Sequence, residues 1–280
     1  MLYKCGMKTG TSAPIFSPQP TTTAFSINPD PSLLYLTASL RAALHKCRFV
    51  IENYQGLTAI EGDVGLGKST VLRYLYHSYS SRKDCLTAFI HTPNFKSDFA
   101  FLKAICAELG LPVRASMQKQ ESELNSYLIG EYKENRRVIL FLDEAQKMPG
   151  VQLELLRTLL NFETGQHKLI QIVIAAQLEL RQKLADPSKK ALRSRIFAPS
   201  SLTPLTLDET QAMIDFRCNE AGITNPFTFE AVQAIYLLTG GIPREILKTC
   251  TIGMELMKEA GMSEVPADMV ASIHGEAVYD

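Results

Sequence analysis

Gly62-Asp63-Val64-Gly65-Leu66-Gly67-Lys68-Ser69 decides how this chain folds, because it has the G-x-x-x-x-G-K-[ST] spacing of a phosphate-binding loop. An apolar stretch at 57–61 precedes it, and apolar residues at helical spacing follow it. In a strand–turn–helix unit of this kind, backbone amides and the helix amino terminus point at phosphate oxygens. Residues 62–69 and Thr70 therefore predict an ATP site, in which Lys68 contacts the β- and γ-phosphates and Ser69 ligates Mg²⁺.

A second apolar stretch, residues 138–142, ends in the adjacent carboxylates Asp143 and Glu144. Alone, such a pair would more readily be the acidic first turn of a helix. Downstream of a phosphate-binding loop it predicts instead that Asp143 holds the Mg²⁺ shell, since ligand-facing residues follow parallel strands. Glu144 is then expected to polarise the attacking water, a role worth roughly 100- to 10,000-fold in rate. The predicted reaction is hydrolysis of ATP to ADP and phosphate.

The apolar stretches alternate with helical periodicity, the order typical of an α/β domain with a parallel sheet. We expect strands at 57–61, 85–91, 138–143, 169–176 and about 201–205. Beyond residue 205 only helices are predicted, at 208–221, 230–238 and 243–259. The first is expected to begin at Asp208, with Gln211 three residues later as in a capping box. The expected domains are a flexible amino-terminal arm (1–24), the α/β domain (25–205), a helical lid (206–262) and a carboxy-terminal tail or helix (263–280).

Composition excludes several classes of protein. The 29 basic and 29 acidic residues balance, so no global basicity predicts a nucleic-acid or anionic-membrane partner. The six cysteines lack metal or redox spacing, which favours reduced thiols in the cytoplasm. No apolar run approaches the roughly 18 residues of a membrane span, and the first 24 residues lack the apolar core of a secretory signal. We therefore expect a cytoplasmic protein without a membrane segment.

Three further features make the chain resemble the AAA+ ATPases. Gln177 follows the fourth predicted strand, as sensor 1 does in that family, and Gly241-Ile242-Pro243-Arg244 opens a helix as sensor 2 does. Arg193 and Arg195 precede the fifth strand, in the position of the arginine finger. The resemblance implies that Arg195, with Arg193 as the second choice, stabilises the γ-phosphate of a neighbouring subunit, while Gln177 and Arg244 sense it in their own subunit. It thus implies self-assembly as a ring or helical filament.

A narrower resemblance, to the ExeA (GspA)-like branch, is carried by four segments: Phe25-Ser26-Ile27-Asn28-Pro29-Asp30-Pro31, Leu34-Tyr35-Leu36, Leu142-Asp143-Glu144-Ala145-Gln146 and Leu169-Ile170-Gln171-Ile172-Val173. That branch is related to the transposition ATPases of the TniB, TnsC and MuB kind. The resemblance implies an ATPase that serves either DNA transposition or a secretion system.

The first hypothesis is an ATPase that assembles on duplex DNA and recruits or regulates a partner such as a transposase. Resemblance to the transposition branch implies phosphate contacts from the loop after the second strand and from 114–119, where the basic residues are Lys96, Lys103, Arg114 and Lys119. Solvated loop cations are an equally good interpretation of these four residues. The alternatives are an ATPase that assembles a secretion or envelope complex, and a slow nucleotide-dependent scaffold.

Overall fold

The computed structural model describes residues 24–28 and 30–275, so the predicted arm (1–24), except Ala24, lies outside the described residues. A five-stranded parallel sheet forms the centre, in the order β2-β3-β4-β1-β5. Its strands are β1 (Leu57–Glu61), β2 (Cys85–Ile90), β3 (Arg137–Leu142), β4 (Ile170–Ala176) and β5 (Ser200–Ser201). The predicted fold class, a parallel-sheet P-loop domain with a helical lid, is confirmed.

Helices cover both faces of this sheet, which is why its central strands are mostly apolar on both faces rather than alternating. Phe141 and Val173 point to one face and pack with α1 (Ala38–Glu52) and α2 (Lys68–Ser80). Leu140 and Ile172 point to the other face. The helices on that side are α3 (Asp98–Glu108), α4 (Met117–Lys133), α5 (Gly150–Leu159), α6 (Glu179–Ala185) and α7 (Lys190–Arg193).

The fifth strand is shorter than the predicted span of about 201–205. Ser200 and Ser201 form the ladder to β1, and Leu202 adds one further backbone hydrogen bond to Glu61. Before this strand, an isolated bridge joins Ile196 to Leu57 of β1. Pro204 lacks the N–H that a longer ladder needs, so the chain leaves the sheet there.

In the part of the chain that the structure describes, four helices form the lid: α8 (Leu207–Glu220), α9 (Phe229–Thr239), α10 (Pro243–Glu259) and α11 (Ala267–Gly275). The predicted start of α8 at Asp208 and Gln211 is wrong, because Thr206 is the cap and forms a capping box with Glu209. Thr206 has the extended backbone (φ −74°, ψ 172°) that a cap requires, whereas Asp208 already lies in the first turn.

The lid core includes segments from both ends of the described chain. Val265 and Val270 are buried in it, so part of the segment expected as a carboxy-terminal tail or helix packs with the bundle. Phe25 packs edge-on against Phe227 with ring centroids 5.7 Å apart, and Thr251 donates a hydrogen bond to the Phe25 carbonyl. The segment that begins at Ala24 is therefore anchored in the lid before it reaches α1.

Within residues 24–28 and 30–275, no helix combines the length and the apolar character needed to cross a membrane.

Candidate nucleotide-binding site

One cavity of about 440 Å³ lies where the carboxyl ends of β1, β3 and β4 meet the lid. Its polar part is lined by residues 64–70, Asp143, Glu144, Gln177 and Arg244. Apolar side chains line the other part, among them Leu33, Leu34, Leu205, Met213 and Leu247 from the segment before α1 and from the lid. Four separate motifs of the sequence thus meet around one space, with a polar and an apolar part.

The loop before α2 depends on glycine at two positions. Gly65 and Gly67 have φ of +83° and +89°, a left-handed conformation that other residues adopt only with strain. A Cβ atom at Gly65 would lie 2.8 Å from Ile242 Cγ2, so the lid packs closely against this turn. A Cβ at Gly67 would meet no atom within 4 Å, so this turn borders open space.

Lys68 begins α2 and is buried beside this turn, 8% exposed. Its ammonium group donates to the Asp63 carbonyl at 2.7 Å. Burial lowers the pKa of Lys68, and the nearby carboxylates of Glu144 and Asp143 partly oppose that shift. A desolvated lysine at a helix amino terminus that borders open space fits a phosphate group.

Asp143 follows β3 and is 6% exposed. Burial raises the pKa of its carboxyl group, and hydrogen bonds from the Ser69 side chain and the Glu144 backbone lower it. Two hard oxygen donors of the kind that Mg²⁺ prefers therefore lie together. Within the described part of the chain, no cluster of three or more His, Cys, Asp or Glu side chains could hold a metal ion. Ser69 and Asp143 fit a Mg²⁺ ion that takes its other ligands from phosphate and water.

Glu144 has a left-handed backbone (φ 54°), which is costly for a residue with a side chain and is typical of functional sites. Its carboxylate oxygen Oε2 accepts hydrogen bonds from Gln146 Nε2 at 2.8 Å and from Lys147 Nζ at 3.2 Å. The Gln146 Oε1 atom in turn accepts from the Gln177 backbone N–H at 3.1 Å. The proposed base and the sensor 1 position are thus linked by the Gln146 amide, to which the sequence analysis assigned no role.

The sensor 2 candidate Arg244 lies in the first turn of α10, and its backbone N–H donates to the Gly65 carbonyl at 3.2 Å. Arg73 also lines the cavity, and sequence reasoning missed it. Its position four residues after Ser69 on α2 was the available signal, because residues at that spacing share a helix face. Its Nε atom is buried, with no hydrogen-bond partner among the described residues.

The two finger candidates lie elsewhere. Neither Arg193 nor Arg195 lines the cavity of its own chain. Arg193 ends α7 with an exposed side chain, whereas the Arg195 guanidinium donates to the Arg157 carbonyl at 2.6 Å.

The four candidate DNA contacts differ in environment. Lys96 is exposed in the loop after β2, and Lys119 is exposed in the first turn of α4. The ammonium of Lys103 lies 4.1 Å from the centroid of the Phe99 ring. Arg114 is paired with Glu123 through hydrogen bonds of 3.0 and 2.8 Å. Two of the four cations thus already have a partner within the chain.

Comparison with known proteins gives both family and fold similarities. The AAA domain family matches residues 51–184. General secretion pathway protein A of Aeromonas hydrophila is 36% identical over 230 residues, which are 81% of this chain and 41% of that protein. An uncharacterized HTH-type transcriptional regulator of Methanocaldococcus jannaschii is 26% identical over 256 residues, covering 76% of this chain and 61% of that one. The chain therefore spans less than two thirds of either relative.

Among solved structures, the Aeropyrum pernix ORC2 protein has a TM-score of 0.65 and 18% identity, covering 91% of this chain and 71% of that chain. The ORC1 protein of the same organism, in complex with DNA, has a TM-score of 0.63 and 17% identity over 90% of this chain and 69% of that one. The RuvB Holliday junction branch migration motor of Thermotoga maritima has a TM-score of 0.55 and 15% identity. The match covers 86% of this chain and 70% of that chain. Similarity at this level of identity establishes a shared fold.

Proposed function

We propose that this chain, an AAA+ P-loop protein related in sequence to General secretion pathway protein A of Aeromonas hydrophila, is an ATP hydrolase whose sites work between neighbouring copies. The observation that carries the proposal is the meeting of residues 64–70, Asp143, Glu144, Gln177 and Arg244 around one cavity. A phosphate-binding loop, a carboxylate for the metal and a second carboxylate for water are the parts that phosphoryl transfer to water needs.

Each of these residues then has one task. Lys68 and the backbone amides of residues 64–70 hold the phosphates, and Ser69 and Asp143 hold Mg²⁺. When bound, Mg²⁺ would offset the negative charge of the β- and γ-phosphate oxygens. Glu144 orients and polarises water, while Gln177 and Arg244 contact the γ-phosphate from the sheet and from the lid. The apolar part of the cavity offers the environment that a nucleobase requires.

Self-assembly is supported by the position of the two finger candidates outside their own cavity. Hydrolysis of this kind commonly uses an arginine that stabilises charge in the transition state, worth roughly 1,000- to 100,000-fold. Arg193 and Arg195 do not line their own cavity, so in our proposal one of them serves the cavity of a neighbouring copy.

For the target of the ATP cycle we propose two candidates from different classes. The 36% identity to General secretion pathway protein A favours an ATPase that assembles a secretion or envelope complex. The second candidate is an assembly on duplex DNA that recruits or regulates a partner such as a transposase, as in the TniB, TnsC and MuB kind. Exposed Lys96 and Lys119 support it, and the ORC1 protein of similar fold is bound to DNA.

One experiment separates these candidates. We would measure the ATPase rate and the particle size of the protein with ATP, with and without duplex DNA, using as the control Lys68→Ala, which we expect not to bind nucleotide. Hydrolysis and ATP-dependent assembly that DNA enhances would support the DNA candidate. Assembly and hydrolysis that DNA leaves unchanged would favour the secretion candidate, and absence of any Lys68-dependent hydrolysis would refute the ATPase proposal.

A further inference from the structure

We propose that Gln146 is a positioning residue for hydrolysis, because its side-chain amide orients the Glu144 carboxylate and couples it to the end of β4 at Gln177. The inference rests on the proposed ATPase function and adds to it a residue that acts through the base rather than on the nucleotide.

Two hydrogen bonds determine the orientation of the Gln146 amide. The backbone N–H of Gln177 can only donate, so the amide atom that faces it at 3.1 Å is the oxygen Oε1. The amide nitrogen therefore faces the Glu144 carboxylate and donates to Oε2 at 2.8 Å. Turning the amide over would bring two donors together at Gln177 and two acceptors together at Glu144. The side chain is also 9% exposed, so little water is available to replace either bond.

The backbone that carries Gln146 is held independently. Gln146 lies in a single 3-10 turn, Ala145–Lys147, directly after Asp143 and Glu144. From α6, the Lys183 ammonium donates to the carbonyls of Gln146 at 2.5 Å and of Met148 at 3.2 Å. Because α6 begins two residues after Gln177, the same segment holds both the turn and the far end of the amide bridge.

This arrangement leaves the base ready to act. Oε2 of Glu144 is occupied by Gln146 and Lys147, while Oε1 has no hydrogen-bond partner among the described residues. A general base needs one oxygen free to accept the proton and a fixed direction in which to accept it. Lys147 does not supply the coupling, because its side chain is 51% exposed and, among the described residues, makes no hydrogen bond to Gln177.

Two substitutions of similar size distinguish positioning from simple structural support. Gln146→Met keeps the length of the side chain and removes both hydrogen bonds. Gln146→Glu keeps an oxygen that can accept from the Gln177 N–H, but it removes the donor to Glu144 and adds a like charge beside it. If Gln146 positions the base, kcat at saturating ATP falls by about ten- to hundredfold in both variants, and Gln146→Glu is no better than Gln146→Met. The affinity of Gln146→Met for a non-hydrolysable ATP analogue stays within about twofold of the wild-type value.

A second measurement does not depend on turnover. Hydrogen–deuterium exchange at the Gln177 amide of the nucleotide-free protein should become faster in Gln146→Met and stay slow in Gln146→Glu. Gln120→Met is the matched control, because buried Gln120 also accepts from a backbone N–H, that of Arg114, and donates to a backbone carbonyl, that of Pro112. This control should lower the unfolding temperature and leave kcat and Gln177 exchange unchanged.

The outcomes separate the two levels of the argument. If either Gln146→Met or Gln146→Glu keeps the wild-type kcat, the positioning role is refuted while the ATPase function stands. Equal loss of kcat in Gln120→Met would assign the effect to general destabilisation and also refute it. Absence of ATP turnover by the assembled wild-type protein would refute the proposed function itself.

Discussion

The Arg195 guanidinium donates a hydrogen bond to the backbone carbonyl of Arg157, 2.6 Å away. Arg157 lies in the last turn of α5, where carbonyls lack a donor from their own helix. Asn161, four residues further on, donates instead to the Thr158 carbonyl. Arg195 therefore caps α5 within its own chain, whereas Arg193, two residues earlier, is exposed at the end of α7. Arg193 can reach a neighbour without breaking a bond of this kind.

We expect Arg193→Ala to lose ATP turnover by roughly 1,000- to 100,000-fold while each subunit still binds ATP, because a finger acts only on the transition state. Arg195→Ala should mainly lower the free energy of unfolding, by about 1 kcal/mol, since it removes one partly exposed charged hydrogen bond. Steady-state turnover, binding of an ATP analogue and urea unfolding measure the three quantities. Lost turnover with unchanged stability in Arg195→Ala would make Arg195 the finger.

Mixing of variants tests whether the finger serves a neighbour. Subunits with Arg193→Ala keep an intact cavity, and subunits with Lys68→Ala keep an intact finger. A mixture should recover part of the turnover that each variant lacks alone. No recovery in particles shown to contain both subunits would contradict a role in the neighbouring cavity.

Lys68→Ala and Glu144→Gln should separate nucleotide binding from hydrolysis. The first removes a buried ammonium group from the phosphate loop, so we expect no measurable binding of an ATP analogue. The second keeps the shape of the side chain but not its basicity, so ATP should bind and accumulate without turnover. Lys248→Ala is the control and should bind and hydrolyse ATP as wild type, since this exposed lysine pairs with Glu245 on the lid and does not line the cavity. Wild-type affinity in Lys68→Ala would overturn the assignment of the loop.

The fold could be predicted from sequence because its signals are local. A parallel sheet covered on both faces needs largely apolar strands. Residues 138–142 are apolar throughout, and residues 57–61 are apolar except for Thr58 and Glu61. The wrong predictions concern the ends of elements, where one residue among several candidates determines the first or last residue of a helix or strand. Thr206 rather than Asp208 caps α8 because Thr206 has the extended backbone, and Pro204 ends the fifth strand early.

In the candidate site, too, some residues could be predicted from sequence and others could not. The loop at 62–70 and the pair Asp143 and Glu144 are recognisable because their chemistry depends on neighbours in sequence. The bonds that Gln146 makes to Gln177 and Arg195 makes to Arg157 join residues 31 and 38 positions apart. The packing of α7 against α5, and of the turn Ala145–Lys147 against β4, brings those residues together, so spacing alone could not indicate them.

Thr206→Ala should lower the free energy of unfolding by about 1 kcal/mol, because Thr206 and Glu209 satisfy two backbone donors at the start of α8. Urea unfolding would measure the change. Asp208→Ala is the matched control, since Asp208 was the predicted start of the helix but lies in its first turn. A larger loss in Asp208→Ala than in Thr206→Ala would contradict the capping box.

The ion pairs of Asp84, just before β2, are expected to make the free energy of unfolding depend on pH in the acid range. Hydrogen bonds from Arg82 lower the pKa of the Asp84 carboxyl from 3.8 to about 2. A carboxyl whose pKa is lower in the folded state stabilises the protein above its unfolded pKa and loses that effect as pH falls. The destabilisation caused by Asp84→Asn should thus be full above pH 4 and shrink between about 3.8 and about 2. Urea unfolding at several pH values would reveal it, and a destabilisation independent of pH would contradict it.

If the DNA candidate is right, binding to duplex DNA requires ATP or a non-hydrolysable analogue, because assembly aligns many weak phosphate contacts. The logarithm of affinity should fall linearly with the logarithm of salt concentration, with a slope of about −0.9 per phosphate neutralised, and vary little with base sequence. Replacing Lys96, Lys103, Arg114 and Lys119 together by Ala should abolish binding while basal ATPase activity is retained, since none of them lines the cavity.

The environments of these four residues predict unequal contributions. Exposed Lys96 and Lys119 should account for most of the salt dependence, because the charge of Arg114 is already shared with Glu123 and Lys103 lies over Phe99. We therefore expect the Lys96→Ala, Lys119→Ala double variant to flatten the salt dependence more than Arg114→Ala does. Lys248→Ala, on the lid and paired with Glu245, is the control and should bind as wild type. DNA binding that survives the fourfold change would refute this surface. If assembled wild-type particles do not bind DNA at low salt, the DNA candidate is refuted and the secretion candidate stays. The reason is that aligned, exposed lysines bind DNA phosphates most strongly at low salt.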